Sequence, residues 1–200
     1  MALIHLTRDH YIISQWSGGT TTQVAIAPEG AVYADRDFLW RISSATVDLD
    51  ESDFTALPDY HRWISTLEGG MKLQHEDNPP VQLAPYEVHE FDGGIRTHSW
   101  GRCTDFNLML RKGKCQGSIR SLRLAAGERA EVAPVLPSSD AFPSTDLLVF
   151  CGNGNAVITL GEETVSLHTS ESVFLKNATG NTLLITADSP SDFLIAEMHG

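Results

Sequence analysis

The chain has 200 residues, 42% of them hydrophobic and 20% charged, with a formal net charge of −12. That length allows one large domain or two small ones sharing a core, and burying roughly 70% of the unfolded surface makes a disulfide or metal staple unnecessary. The acidic balance argues against a nucleic-acid-binding domain, which needs a basic footprint to neutralise phosphate.

The opening residues, MALIHLTRDHYIIS, lack a basic segment followed by an apolar core, so no secretory signal is read there. No apolar run approaches the ~18–20 residues of a membrane span. Cys103, Cys115 and Cys151 are odd in number and form no CxxC pair, which reads as reduced intracellular thiols. The expectation is a soluble cytoplasmic protein with no membrane partner.

Period-2 alternation dominates and helical periodicity is scarce, so the chain is expected to be all-β. The segment Trp16-Ser17-Gly18-Gly19-Thr20-Thr21-Thr22-Gln23 reads locally as a hairpin turn into a Thr-rich edge strand. Strands are expected at Thr22–Ile26, Phe38–Val47, Trp63–Leu67 and Asp105–Leu110. Six more follow at Leu147–Phe150, Ala156–Leu160, Thr164–His168, Ser172–Lys176, Leu183–Ala187 and Phe193–Glu197. Gly152-Asn153-Gly154 and Gly161-Glu162 fit hairpin turns. Short strands at this spacing indicate a sandwich or a barrel. Arg111, Lys112 and Lys114, followed by Arg120 and Arg123, read as a solvated edge on an acidic protein, so no direct nucleic-acid binding is expected. The Pro- and Ser-rich stretch Ala133–Thr145 is the one plausible boundary, either a long surface loop or a broken edge strand.

The chain also echoes itself. Leu67-Glu68-Gly69-Gly70 leads through Val81 and Leu83 to Val88, Phe91 and Gly93-Gly94. Later, Phe150-Cys151-Gly152-Asn153-Gly154 leads through Val165 and Leu167 to Val173, Phe174 and Gly180. Chance likeness between β-meanders and a duplicated β-barrel both account for this order.

Among the eight histidines no HxH pair occurs, and His89-Glu90 has no clear later partner. A transition metal needs three or four converging ligands, so no metal site is read, and His89 and His168 are taken as strand-edge residues. No nucleophile elbow, phosphate loop or dinucleotide fingerprint is present, so no cofactor is expected.

Two strands carry more information. In Phe38–Val47, Trp40 and Ile42 share one face and Arg41 and Ser43 the other. In Asp105–Arg111, Phe106, Leu108 and Leu110 oppose Asp105, Asn107, Met109 and Arg111. The polar faces meet either water or a barrel lumen able to hold one ligand. In a lumen, Arg41 would offer a planar donor fork suited to a carboxylate.

At these residues the chain resembles the HutD/Ves family. The matching elements are Trp16 with Gly18-Gly19 and Thr21, Phe38 through Val47, Phe54 with Pro58, His61-Arg62, Leu67 through Gly70, Phe91-Asp92-Gly93, and Asp105 through Met109. They span roughly the first 115 residues, and the remainder matches as a β-rich continuation. The resemblance implies a double-stranded β-helix, RmlC-like bicupin fold, with one barrel over residues 1–120 and another over 121–200 and strands exchangeable between them. It also implies a role in moderating histidine utilisation by binding an intermediate such as urocanate or formylglutamate. Carried over, the pocket would comprise Trp16, Thr21, Gln23, Arg41, Ser43, Arg62, Asp105, Asn107 and Met109, with no catalytic residue assigned. The chain departs from the family in having Ser17 where an Asn is usual and Glu51-Ser52-Asp53 before Phe54.

Two functions follow. One is a sensor of a small carboxylate, held by Arg41 and Arg62; a homodimer is compatible with it. The other is a metal-independent isomerase or hydrolase using Asp105 as base. Arg41 beside Asp105 would hold that carboxyl too low for efficient base catalysis, which favours binding.

Overall fold

The computed structural model describes residues 2–135 and 142–200. Residues 136–141, part of the expected surface loop Ala133–Thr145, lie outside the described residues. The chain divides into two compact units, a first formed by Tyr11–Lys114 and a second formed by Met1–His10 with Cys115–Gly200.

Strand β1 (Ile4–Leu6) belongs to the second unit. The first unit then runs through β2 (Ile12–Trp16), β3 (Gly19–Ala27), β4 (Trp40–Val47), β5 (Glu51–Asp53) and β6 (Tyr60–Glu68). It continues with β7 (Met71–His75), β8 (Val81–Leu83), β9 (Val88–Asp92), β10 (Thr97–Trp100) and β11 (Cys103–Arg111). The second unit resumes with β12 (Gln116–Leu124), β13 (Arg129–Val132), β14 (Thr145–Asn153) and β15 (Asn155–Leu160). It ends with β16 (Glu163–His168), β17 (Ser172–Leu175), β18 (Leu183–Ala187) and β19 (Ser191–His199).

The first unit has a six-stranded sheet in the order β2-β3-β4-β11-β6-β9 and a four-stranded sheet, β5-β10-β7-β8. The second has a five-stranded sheet, β1-β17-β14-β19-β12, and a four-stranded sheet, β13-β18-β15-β16. Each strand from β4 to β11 therefore has a counterpart eight strands later, in the same order and with antiparallel neighbours. The matched turns agree in detail. Gly69, before β7, has φ +72°, and Gly154, before β15, has φ +93°. Before β9 and β17 the chain passes through Tyr86 (φ +66°) and Ser170 (φ +69°). The Glu that follows each caps its turn, Glu87 accepting from the Ala84 N–H (2.8 Å) and Glu171 from that of His168 (3.0 Å). Leu67–Gly94 and Phe150–Asn181, the two echoing segments, fall on these equivalent strands.

All ten expected strands are present, several longer than the sequence suggested. The expectation that the Thr-rich strand is an edge is corrected. β2 pairs with β3 from Ile12 opposite Gln23 to Trp16 opposite Gly19, so β3 is interior and the wholly exposed β2 forms the edge. The second unit's core is one cluster built from both of its sheets, including Leu147, Val149, Ile158, Leu167, Val173, Ile185, Phe193 and Ile195. The first unit includes two smaller clusters of described residues. One gathers Ile64, Met71, Leu73, Leu83 and Phe91; the other gathers Phe38, Leu57, Tyr60 and Met109.

A candidate anion-binding cavity

A cavity of about 340 Å³ opens within the first unit. Its wall is set by strand alternation. β4 contributes Arg41, Ser43, Ala45 and Val47, and β11 contributes Asp105, Asn107 and Met109, all at period 2. The intervening Trp40, Ile42, Phe106 and Leu108 are buried and do not line it. Arg62 projects from β6, and Ser14, Trp16 and Thr21 come from the β2–β3 hairpin. That hairpin turns tightly over glycine. A Cβ on Gly19, at φ +150°, would collide with the Thr46 carbonyl, and one on Gly18 would enter the Trp16 ring.

Eight of the nine residues named from the sequence line this cavity. The ninth, Gln23, stands behind it, its Oε1 accepting from Arg41 Nε at 2.8 Å. Arg41 also donates from Nη1 to Ser43 Oγ at 2.9 Å, and its guanidinium lies 4.3 Å from the centre of the Tyr33 ring. Arg62 donates from Nε to Asn107 Oδ1 at 3.3 Å, with its guanidinium 4.9 Å from the Phe54 ring and 5.0 Å from that of Phe91. The partners that fix the two arginines are thus neutral amides, a hydroxyl and aromatic faces. Among the described residues neither forms an ion pair. Tyr33 was not legible in the sequence, because it sits in a short 3-10 turn, Tyr33–Asp35, outside any alternating run. Phe91 matched the family pattern, but nothing in its spacing tied it to Arg62.

Both arginine residues are almost wholly buried, Arg41 at 5% exposure and Arg62 at 6%. Burial lowers the Arg62 pKa to about 10 and also lowers that of Arg41, yet both remain cations at neutral pH. Burying unpaired charge costs several kcal/mol per ion even after relaxation, a cost that a bound anion would offset.

Asp105 departs from the sequence expectation. Burial is the dominant influence and pushes its carboxyl up to about 7. The Ala45 N–H, donating to Oδ1 at 3.0 Å, opposes this, followed by the charges of Arg62 and Arg41. Proximity to an arginine alone predicts a lowered pKa, whereas desolvation of so buried a carboxyl outweighs it. No ion pair joins Asp105 to either guanidinium among the described residues.

A cupin-type metal would need several imidazole or carboxylate ligands converging on one point. The cavity wall supplies no histidine and only Asp53 and Asp105 as carboxylates, and no group of three potential ligands occurs among the described residues. The donor set does not fit a metal. His89 lies on the edge strand β9, as expected, and meets His75 at 2.9 Å between Nε2 atoms, away from the cavity wall.

The matched units also differ where it matters. The equivalent hydrogen bonds to Thr66 and Cys151 fix the register, with Asp105 opposite Thr66 and Phe193 opposite Cys151. Phe193, Ile195 and Leu147 then occupy the places of Asp105, Asn107 and Arg62, and all three are core residues of the second unit. Positions that line a charged cavity in one unit are filled with hydrocarbon in the other.

The fold and cavity together define an all-β protein with a cupin-like fold and a pocket lined by two buried arginines. The chain belongs to the HutD family, whose model matches residues 8–194. A conserved protein of unknown function from Pseudomonas aeruginosa PAO1 superposes with a TM-score of 0.83 at 23% identity over 100% of both chains. HutD from Pseudomonas fluorescens SBW25 gives 0.72 at 18% identity, again over 100% of both. A cupin 2 conserved barrel domain protein from Leptotrichia buccalis gives 0.54 at 12% identity, over 94% of this chain and 91% of that one. No curated protein matches the sequence. No helix among the described residues is long and apolar enough to cross a membrane.

Proposed function

We propose that the protein is a cytoplasmic bicupin of the RmlC-like type, one barrel per compact unit, that binds a small carboxylate in the cavity of the first. The observation that carries this reading is the pair Arg41 and Arg62, two buried arginines that form no ion pair among the described residues and line one cavity. Guanidinium donors in a fixed fork match carboxylate oxygens. The volume lies at the small end of ligand pockets. Membership of the HutD family supports a role in moderating histidine utilisation, with an intermediate such as urocanate or formylglutamate as the ligand. The basic run of β11 and β12 supports no nucleic-acid role, since Lys112, Arg120 and Arg123 pair with Asp92, Glu197 and Asp192.

The test is thermal stability against urocanate, formylglutamate, histidine, glutamate, formate and acetate. A ligand at 100 times its Kd adds about 2.7 kcal/mol, which raises Tm by roughly 5–10 °C in a chain of this size. Failure of every carboxylate to shift Tm overturns the reading. The position of the Asp105 carboxyl near neutrality favours a second reading, a metal-independent isomerase or hydrolase with Asp105 exchanging protons. NMR of the ligand after incubation separates the two, because a binding protein returns it unchanged.

A further inference from the structure

Asp105 shares the cavity with both arginines and is 7% exposed. Its Oδ1 accepts the Ala45 N–H, and no described protein donor reaches Oδ2. That second oxygen keeps some solvent contact, and Asp105 lines the same cavity as Arg41 and Arg62. The charged and titratable groups around it are few. Arg41 faces it from β4 and Arg62 from β6; Cys103 precedes it on its own strand, and Asp53 and Tyr33 complete the wall. Two ionised carboxylates side by side repel strongly where one of them is as buried as Asp105, and one of them takes a proton.

We propose that the cavity takes up one proton with its anion, the proton residing on Asp105 Oδ2, which donates a hydrogen bond to the carboxylate gripped by Arg41 and Arg62. This rests on the carboxylate-binding reading above. Burial holds Asp105 near neutrality while the two arginines only partly oppose it, and this poises the step. Binding an anion cancels the arginines' influence and moves the Asp105 pKa further up. Linkage then sets the sign. Below about pH 7 Asp105 is protonated before the ligand arrives and affinity is flat. Above it, each anion brings a proton and affinity weakens by up to tenfold per pH unit.

Formate and acetate are the probes, because neither titrates between pH 6 and 9. Isothermal titration in phosphate and in Tris, buffers of different protonation enthalpy, counts the protons taken up. The expected result at pH 8 is close to one proton per anion, falling towards none at pH 6, with Kd rising over the same range. Asp105→Asn keeps an N–H donor where the acid O–H would be, so it should bind with no proton uptake and with a Kd independent of pH. Wild-type protein that binds formate or acetate without proton uptake from pH 6 to 8.5 overturns this inference and leaves the carboxylate reading intact. An Asp105→Asn variant with the wild-type pH profile also overturns it, by placing the proton elsewhere. No binding of either probe at any pH overturns both. The two-buffer measurement on wild-type protein stands even if the variant does not fold.

Discussion

Arg41 and Arg62 are cross-strand neighbours of the same residue, Met109, one on each side of β11. Two strand spacings of roughly 4.8 Å separate their backbones, and both side chains rise from the same face of the sheet. Two like charges on one face of the sheet repel each other across β11, and Arg41 adds to the lowering of the Arg62 pKa that burial dominates. Their hydrogen-bond and ring partners are neutral, so an anion between the two guanidiniums would offset the repulsion. Function and stability are therefore opposed at this pair.

Replacing Arg62 by Met tests that opposition. Met preserves the flexible stem and the contact with the Phe54 and Phe91 rings while removing the charge. Removing an uncompensated buried ion relieves a penalty of several kcal/mol, so the ligand-free variant should melt at or above the wild-type temperature. Its response to saturating carboxylate should fall from roughly 5–10 °C to about 1 °C or less. Differential scanning fluorimetry with and without acetate reads both. A ligand-free variant several degrees less stable than wild type would show that the guanidinium is an asset of the empty fold.

How much of this was readable beforehand follows from the physics of each element. Alternation placed Arg41 and Ser43 opposite Trp40 and Ile42, and Asp105 and Asn107 opposite Phe106 and Leu108, because a strand's faces have a strict period of two. What alternation could not provide was which face is enclosed, and hence the dominance of burial over charge at Asp105. Strand β12, QGSIRSLRL, went unread because its exposed and half-buried positions are mostly polar, and β10, THSW, because its buried positions, Thr97 and Ser99, are themselves polar. The weak echo between Leu67–Gly94 and Phe150–Asn181 survives in sequence mainly at turns, where positive φ restricts the choice of residue. Its wall residues diverged from charged to apolar, and there the likeness is lost.

The turn equivalence has its own test. A Cβ on Gly69 would meet the Arg102 carbonyl and one on Gly154 the Pro190 carbonyl, both at 2.5 Å and both at positive φ. Gly113, also at positive φ, has nothing within 4 Å. Gly69→Ala and Gly154→Ala should each cost about 2–4 kcal/mol, strain plus backbone displacement, and Gly113→Ala only about 1 kcal/mol. Urea unfolding midpoints would measure the three. Equal losses at all three positions would mean that the close backbone approach is not what the glycines serve.

The His75–His89 contact has a defined direction. Thr97 donates its hydroxyl to the Ile95 carbonyl at 3.2 Å, so its oxygen accepts from His75 Nδ1 at 2.8 Å. His75 Nε2 is then the acceptor, and His89 Nε2–H donates across the 2.9 Å contact. Burial lowers both pKa values, joined at His75 by the neighbouring imidazole and by Arg62. The native state therefore binds fewer protons than the unfolded chain, and stability present above about pH 6.5 is lost as pH falls towards the folded values. His75→Gln should flatten the decline in Tm between pH 6.5 and 5. Imidazole 15N shifts should report His75 as the Nδ1–H tautomer, and the opposite tautomer would break the chain of donors.

Asp105 gives the ligand-free protein a slope of the opposite sign. Its folded pKa of about 7 lies above the unfolded carboxyl value of about 3.9, so the native state is the one that holds the proton. The stabilisation this confers, relative to ionised Asp105, is complete below about pH 3.9 and is lost progressively as pH rises towards 7. Three pKa units correspond to about 4 kcal/mol, an upper figure that solvent entering the cavity would reduce. Asn at this position has no proton to lose and can still accept the Ala45 N–H. The difference in unfolding free energy between Asp105→Asn and wild type should therefore move in favour of the variant by about 2–4 kcal/mol between pH 4.5 and 7.5, and stay level above that. Chemical denaturation at half-unit steps of pH, without carboxylate buffers that would occupy the site, measures it. A difference that does not change across this range would mean that Asp105 is ionised in the folded protein at pH 4.5, with the two arginines outweighing its burial.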